Sequence, residues 1–285
     1  MSKKIDEFRM PAEWEPQKSV WISWPHNKND WPGLFEEIPN VVGKIIKYLT
    51  KYQRIDLLVN SFKSIDTTRI HLKKIGCNIS NIKFHKLKTD RIWLRDSGPI
   101  FLVNKKNRKK IMLDFKFNAW SKYKNFKNDN KINSRISKYL NIESILPKKV
   151  NSKKFVRVVM EGSAFDNNGS GSILLTRESL LSSKQVRNKG FKKIDYENLF
   201  SKYLNAKNFI WLNKGIVGDD THGHIDDIAR FVSKNTIMIA IENNRSDKNY
   251  KALKENLKIL SNSYDENGKK FKIIKIPMPS PVVID

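Results

Sequence analysis

Cysteine is nearly absent from this 285-residue chain: Cys77 stands alone, which excludes an internal disulfide framework and any cysteine-cluster metal site. Long apolar runs are missing too. None approaches the ~20 residues that cross a bilayer, and the opening MSKKIDEFRMPAEW has no apolar stretch behind its two lysines. A cytoplasmic location with no membrane partner is therefore expected. Acids are scarce beside bases, 29 Asp and Glu against 55 Lys and Arg, for a net charge of +26. Such a surplus would suit a polyanionic partner. The lysines, however, are spread through every helical and loop-like segment. The one dense run, KKNRKK at 105–110, lies between two strand-like segments, where a solvated hairpin tip accounts for it. That distribution disfavours nucleic acid as a partner.

What remains is a globular composition, 39% hydrophobic and 11% aromatic, with most of the seven tryptophans in the N-terminal half. Helical and extended segments alternate. Residues 35–52 carry Ile38, Val41, Val42, Ile45, Ile46 and Leu49 at helical spacing, and an apolar strand is expected at 55–59. A helix over 67–75 would end at Gly76 as its C-cap. Strands are expected at 82–87, 100–103, 111–115, 156–160, 173–176, 209–212, 236–241 and 271–276, and helices at 131–140, 196–204 and 250–260. A unit of helix, strand and hairpin thus recurs about four times without a Pro/Gly/Ser linker, which favours one α/β domain over two.

Four segments depart from ordinary helices and strands. RMPAEWEP, running on to VWISWP, concentrates proline and tryptophan between 9 and 25. TDRIWLRDSGP (89–99) ends an expected extended segment at Asp96 beside Trp93, a carboxylate and an aromatic wall that suit a planar guanidinium; a structural Arg95–Asp96 turn is the bland alternative. MEGSAFD follows the apolar run 156–160 and puts Glu161 at a strand end, where α/β proteins present functional side chains. GDDTHGHIDDIARF is the densest: positions 219–227 hold two His and four Asp around Gly223. If that stretch is extended, His224 and Asp226 point to the same side. An imidazole and a carboxylate in one pocket could move protons and hold a cation. His222 and His224 could also begin a zinc site, but a metallo-β-lactamase-type motif would want a histidine at 227, where Asp227 stands, and His26, His71 and His85 form no second cluster. No metal and no cofactor are expected.

Read in order, the stretches RMPAEWEPQKSVWISWP, IWLRDSGPIF, LDFKFNAW, MEGSAFDNNGSGSILLTRESLL, GDDTHGHIDDIARF and PMPSP resemble the agmatine deiminase and bacterial-type peptidylarginine deiminase family, from Arg9 to Pro281. The resemblance implies an α/β fold, the pseudo-fivefold αβ propeller (pentein), with its last unit missing or incomplete here. It implies a single deiminase domain over 1–285, incomplete at the C-terminus. It further implies hydrolysis of agmatine to N-carbamoylputrescine and ammonia, a step of polyamine biosynthesis, by way of a covalent cysteine intermediate. Arginine or peptidylarginine deimination is the alternative, and a basic nucleic-acid-binding pseudoenzyme is the alternative of another class. The implied catalytic residues are His224 as general acid/base, with Asp226, Asp96 and Glu161. Trp93, Asp96, Asp226 and Asp220 would bind the substrate, a small cationic guanidino compound. Either Glu161 or Glu178 would orient His224. A homo-oligomer stays open.

The sequence departs from the family pattern at two places. Glu161-Gly162-Ser163 stands where the family more often has Glu-Gly-Gly. The Gly-rich His-Cys segment that carries the family's nucleophile has no counterpart before Asp285, and Cys77, in KIGCNIS, has neither context and reads as a small structural residue. The expectation is a truncated chain, inactive by itself.

Overall fold

A computed structural model describes residues 5–280; Pro281, the last residue of the PMPSP stretch, lies outside the described residues. After the short strand β1 (Phe8–Arg9), the chain builds four sheet-and-helix units in succession. The first is β2 (Ser19–Ser23), α1 (Ile38–Leu49), β3 (Arg54–Val59), α2 (Phe62–Ile75) and β4 (Ile82–Lys86), an all-parallel sheet in sequence order. A one-turn helix, α3 (Leu94–Ser97), leads to the second unit: β5 (Ile100–Asn104), β6 (Lys110–Leu113), α4 (Ile132–Leu140) and β7 (Ser144–Ile145). The third is β8 (Phe165–Asn167), β9 (Ser172–Thr176), α5 (Arg177–Leu181), α6 (Lys193–Leu204) and β10 (Asn208–Leu212). The fourth is β11 (Ala229–Ser233), β12 (Thr236–Ile241), α7 (Tyr250–Ser261) and β13 (Lys272–Pro277). Units two to four share one plan: an antiparallel hairpin, a helical crossover, and a strand parallel to the second hairpin strand. β1 closes the outer edge of the second sheet against β5.

Local chemistry explains most boundaries. α1 buries Ile46 in a core it shares with Ile55 and Leu57 of β3 and Leu72 of α2. α2 starts earlier than the apolar spacing suggests, because Ser61 Oγ accepts from Ser64 N–H and caps it at Phe62. It ends at Gly76, whose φ of 85° a side chain would resist. The lysine-rich stretch 105–109 is the tip of the β5–β6 hairpin. The apolar run 156–160 is not a strand. It makes two isolated bridges, at Arg157 and Val159, and Asn188 Oδ1 takes the Val159 N–H at 2.9 Å. A side chain thus supplies the partner that a ladder would have supplied, and β8, short and partly polar, pairs with β9 in the third unit instead.

Candidate active site

The chain between units does the positioning. Asp96 precedes β5 by four residues (100 − 96), Glu161 precedes β8 by four (165 − 161) and His224 precedes β11 by five (229 − 224). Three equivalent connections therefore deliver one polar side chain each to a common place. Two corrections follow for the local conformation. Asp96 lies within the one-turn helix α3 rather than ending a strand, with Gly98 N–H closing the turn on Leu94 O at 2.8 Å. His224 and Asp226 do not alternate along a strand, because Ile225–Asp227 is a 3-10 turn with His224 at its N-cap. Backbone hydrogen bonds within each turn outweigh the extended pattern in both cases. Close approach demands glycine beside Glu161 and beside His224. A Cβ on Gly162 would meet the carbonyl oxygen of Arg95 at 2.2 Å, and Gly223 (φ +88°) abuts Glu178, whose side chain a Cβ would meet at 2.9 Å.

His224 is buried between two carboxylates. Its Nδ1 lies 3.7 Å from Asp96 Oδ1 and its Nε2 3.7 Å from Glu161 Oε2. Both separations suit an ion pair, not a made hydrogen bond, and Nε2 is a buried nitrogen without a hydrogen-bond partner. Glu161 is wholly buried and is held by Arg187, also wholly buried, with Nε 3.1 Å from Oε1 and 3.3 Å from Oε2. Arg187 spends its other nitrogens on the carbonyls of Gln185 (2.9 Å) and Thr221 (2.6 Å). Ser163 Oγ donates to Asp96 Oδ1, so the serine that departs from the Glu-Gly-Gly pattern touches the candidate site.

The charges follow from burial. Asp96 is pushed up to about 7 by burial, with the Glu161 and Asp226 carboxylates adding to the rise and His224 and Arg95 opposing it. Asp226 is raised, mainly by burial against the pull of His224 and Arg95. Burial would raise Glu161 as well, but Arg187 and His224 outweigh it and hold it below the usual carboxylate range. Burial would lower His224, yet Glu161 and Asp96 outweigh that and raise it. Asp166, pushed up to about 7 by burial, lies close enough to feel Asp226 and Arg95. The niche therefore gathers four carboxylates, three of them raised mainly by burial, despite the chain's net +26.

Asp96, Glu161, His224 and Asp226 are thus brought together. Trp93, 41% exposed, packs against Trp31 at a centroid distance of 5.6 Å, with Phe35 beyond. Asp220 does not join the cluster. It pairs with Lys122 and accepts from Tyr123 Oη at 2.7 Å. Asp219 has a local task, accepting from the N–H groups of Thr221 (2.7 Å) and Gly223 (2.5 Å) and so shaping the loop ahead of His224. Glu178 accepts from Gly215 N–H at 2.8 Å, so of the two glutamates it is Glu161 that faces His224. His222 contacts Ser182 Oγ at 3.0 Å, away from any second ligand. Among the described residues no group of three or more His, Cys, Asp or Glu could hold a metal ion. Sequence reasoning overlooked Ser163, Asp166 and Arg187. Only Ser163 carried a signal, its departure from the family pattern.

Comparison with known proteins agrees with this architecture. The family model of Porphyromonas-type peptidyl-arginine deiminase matches residues 9–285. The structure of the Enterococcus faecalis agmatine deiminase superposes with a TM-score of 0.86 at 26% identity, covering 98% of this chain and 73% of that one. A substrate-bound agmatine deiminase of C. jejuni gives 0.81 at 29% identity, covering 98% and 76%. A curated relative from Legionella pneumophila (strain Paris), whose name contains the words agmatine deiminase, is 32% identical over 275 residues, 95% of this chain and 74% of its own length. The fold is the α/β propeller of the penteins, four units of which lie among the described residues, and the chain belongs to the Porphyromonas-type peptidyl-arginine deiminase family.

Proposed function

We propose that residues 1–285 belong to one deiminase domain that takes agmatine as substrate, for hydrolysis to N-carbamoylputrescine and ammonia in polyamine biosynthesis. The observation that carries this reading is His224 held between Asp96 and Glu161 in a buried niche rich in carboxylates. A guanidinium is planar and cationic, so Asp96 and Asp226 can bind its N–H edges while its charge offsets the cost of burying them. The bound cation in turn favours their ionised forms. Held flat beside an imidazole, the guanidinium has a proton donor at hand for the departing nitrogen and a base for the water that follows. Glu161, fixed by Arg187, keeps His224 oriented and its protonated form available. Trp93 with Trp31 lines the approach.

Cys77 takes no part. It sits in the core of the first unit with Ile46, Ile55 and Leu72, its Sγ–H donates to Gly43 O at 3.5 Å, and burial pushes the thiol up, away from the reactive thiolate. The niche residues therefore supply binding, orientation and proton transfer, and the thiolate of the family's covalent chemistry is not this one. On this reading the 285 residues alone bind agmatine without releasing ammonia; turnover that vanishes in a His224→Ala variant would overturn that part. Binding itself is tested by thermal melting. Agmatine at 100 times its Kd should stabilise the fold by about 2.7 kcal/mol, whereas putrescine, which lacks the guanidinium, should not. Equal responses to the two would refute the guanidine reading.

A further inference from the structure

Next to the niche, one carboxylate joins two guanidinium groups. Glu13 pairs through Oε1 with Arg95 and through Oε2 with Arg230, and Arg230 Nε also lies 3.3 Å from Asp166 Oδ2. The three come from distant chain segments: the proline-rich start, α3 and β11. Arg95 is the neighbour of Asp96, its backbone packs on Gly162 beside Glu161, and its charge acts on Asp96, Asp226 and Asp166. Depth orders the groups. The Glu161 and His224 side chains are 0% and 2% exposed, whereas Arg230, Glu13 and Arg95 are 28%, 39% and 50% exposed. In the proposal that follows, a guanidino compound with its head in the niche has its tail at this bridge.

Two arginines at the tail end would form a clamp for the α-carboxylate of arginine, since the guanidinium fork matches a carboxylate. In this chain the clamp is already filled by Glu13. We propose that Glu13 is a specificity-determining residue, a built-in carboxylate that occupies Arg95 and Arg230 and so selects guanidines ending in an ammonium over those ending in a carboxylate. The proposal rests on the guanidine reading above. A substrate carboxylate must displace Glu13 and then face its charge, whereas the ammonium of agmatine is attracted by it. Discrimination of this kind works through repulsion of the wrong partner as much as attraction of the right one.

Calorimetric titration of the 285-residue chain with agmatine, arginine and argininamide tests it. The unsubstituted chain should favour agmatine over arginine. Glu13→Gln, a change of nearly equal size at a partly exposed position, should narrow that preference by at least about tenfold. Arginine should gain affinity while argininamide, which has no carboxylate, gains none. Glu13→Asp should retain the preference, and adding Arg95→Gln to Glu13→Gln should abolish the gain for arginine. An agmatine-to-arginine ratio that stays within about twofold in Glu13→Gln, or an equal gain for arginine and argininamide, overturns the proposal while leaving the guanidine reading intact. Failure of the unsubstituted chain to bind all three overturns both.

Discussion

Replacing Glu161 by glutamine keeps the size of the side chain and removes its charge. The partner left behind, the Arg187 guanidinium, is fully buried and loses its counter-charge and one of the two acceptor oxygens that lie 3.1 and 3.3 Å from its Nε. Breaking one side of a buried pair costs about 3–5 kcal/mol. Arg187 keeps the carbonyls of Gln185 and Thr221, which favours the lower end, about 3 kcal/mol, a large share of the ~5–15 kcal/mol that holds a domain folded. Arg187→Met alone should cost a similar amount by stranding the carboxylate. The double variant Glu161→Gln/Arg187→Met should cost clearly less than the two single costs together, since no buried charge is left unpaired. Urea unfolding at pH 7 measures all four corners of the cycle. The pH matters. Glu161 is held below its ordinary value, so its contribution is fully present above about 4.5 and fades as the pH falls through the lower folded value. An NMR titration of His224 adds a second readout, because losing Glu161, the main group that raises it, should lower its pKa. Additive costs, or an unmoved His224, would refute this description of the niche.

Gly223→Ala should destabilise the chain by about 1–3 kcal/mol and weaken agmatine binding, because φ is +88° and a Cβ would press on Glu178; a melting curve and a titration at unchanged strength would contradict this. Agmatine affinity should rise with pH through a midpoint at about 7, because Asp96, pushed up to about 7, must lose its proton to hold the cation and deprotonation of His224 acts in the same direction. Ser163→Gly removes a hydrogen bond to Asp96 and should move that midpoint to higher pH, which a series of titrations between pH 6 and 9 would detect. Cys77→Ala should cost about 1–2 kcal/mol of stability as a small core truncation and leave agmatine affinity unchanged, so a loss of binding would restore the thiol to consideration.

Much of this was legible in the sequence where a residue's neighbours decide its conformation. Helical spacing located α1, α4, α6 and α7, Gly76 marked the end of α2, and the lysine run marked the β5–β6 tip. The crowding of titratable groups at 219–227 pointed to His224 and Asp226, and the motif order tied them to Asp96 and Glu161. Conformation at those positions was harder to read. Asp96 and His224 sit in single turns closed by three and one backbone hydrogen bonds respectively, too short to leave a periodic pattern. The run 156–160 has the composition of a strand but satisfies Val159 N–H with Asn188, 29 positions away. Glu13 and Arg230 meet across 217 positions, and Arg187 reaches Glu161 from an irregular loop. Contacts of that kind depend on how the units pack, which local pattern does not encode.

The central claim is that the Asp96, Glu161, His224 and Asp226 niche holds a guanidinium. Calorimetric titration of agmatine at pH 8 into the unsubstituted chain and into Asp96→Asn tests it most directly. Binding to the former is expected, with a loss of at least about tenfold, ~1.4 kcal/mol, in the latter. Equal affinity in the two proteins, or no binding to the unsubstituted chain, would contradict it.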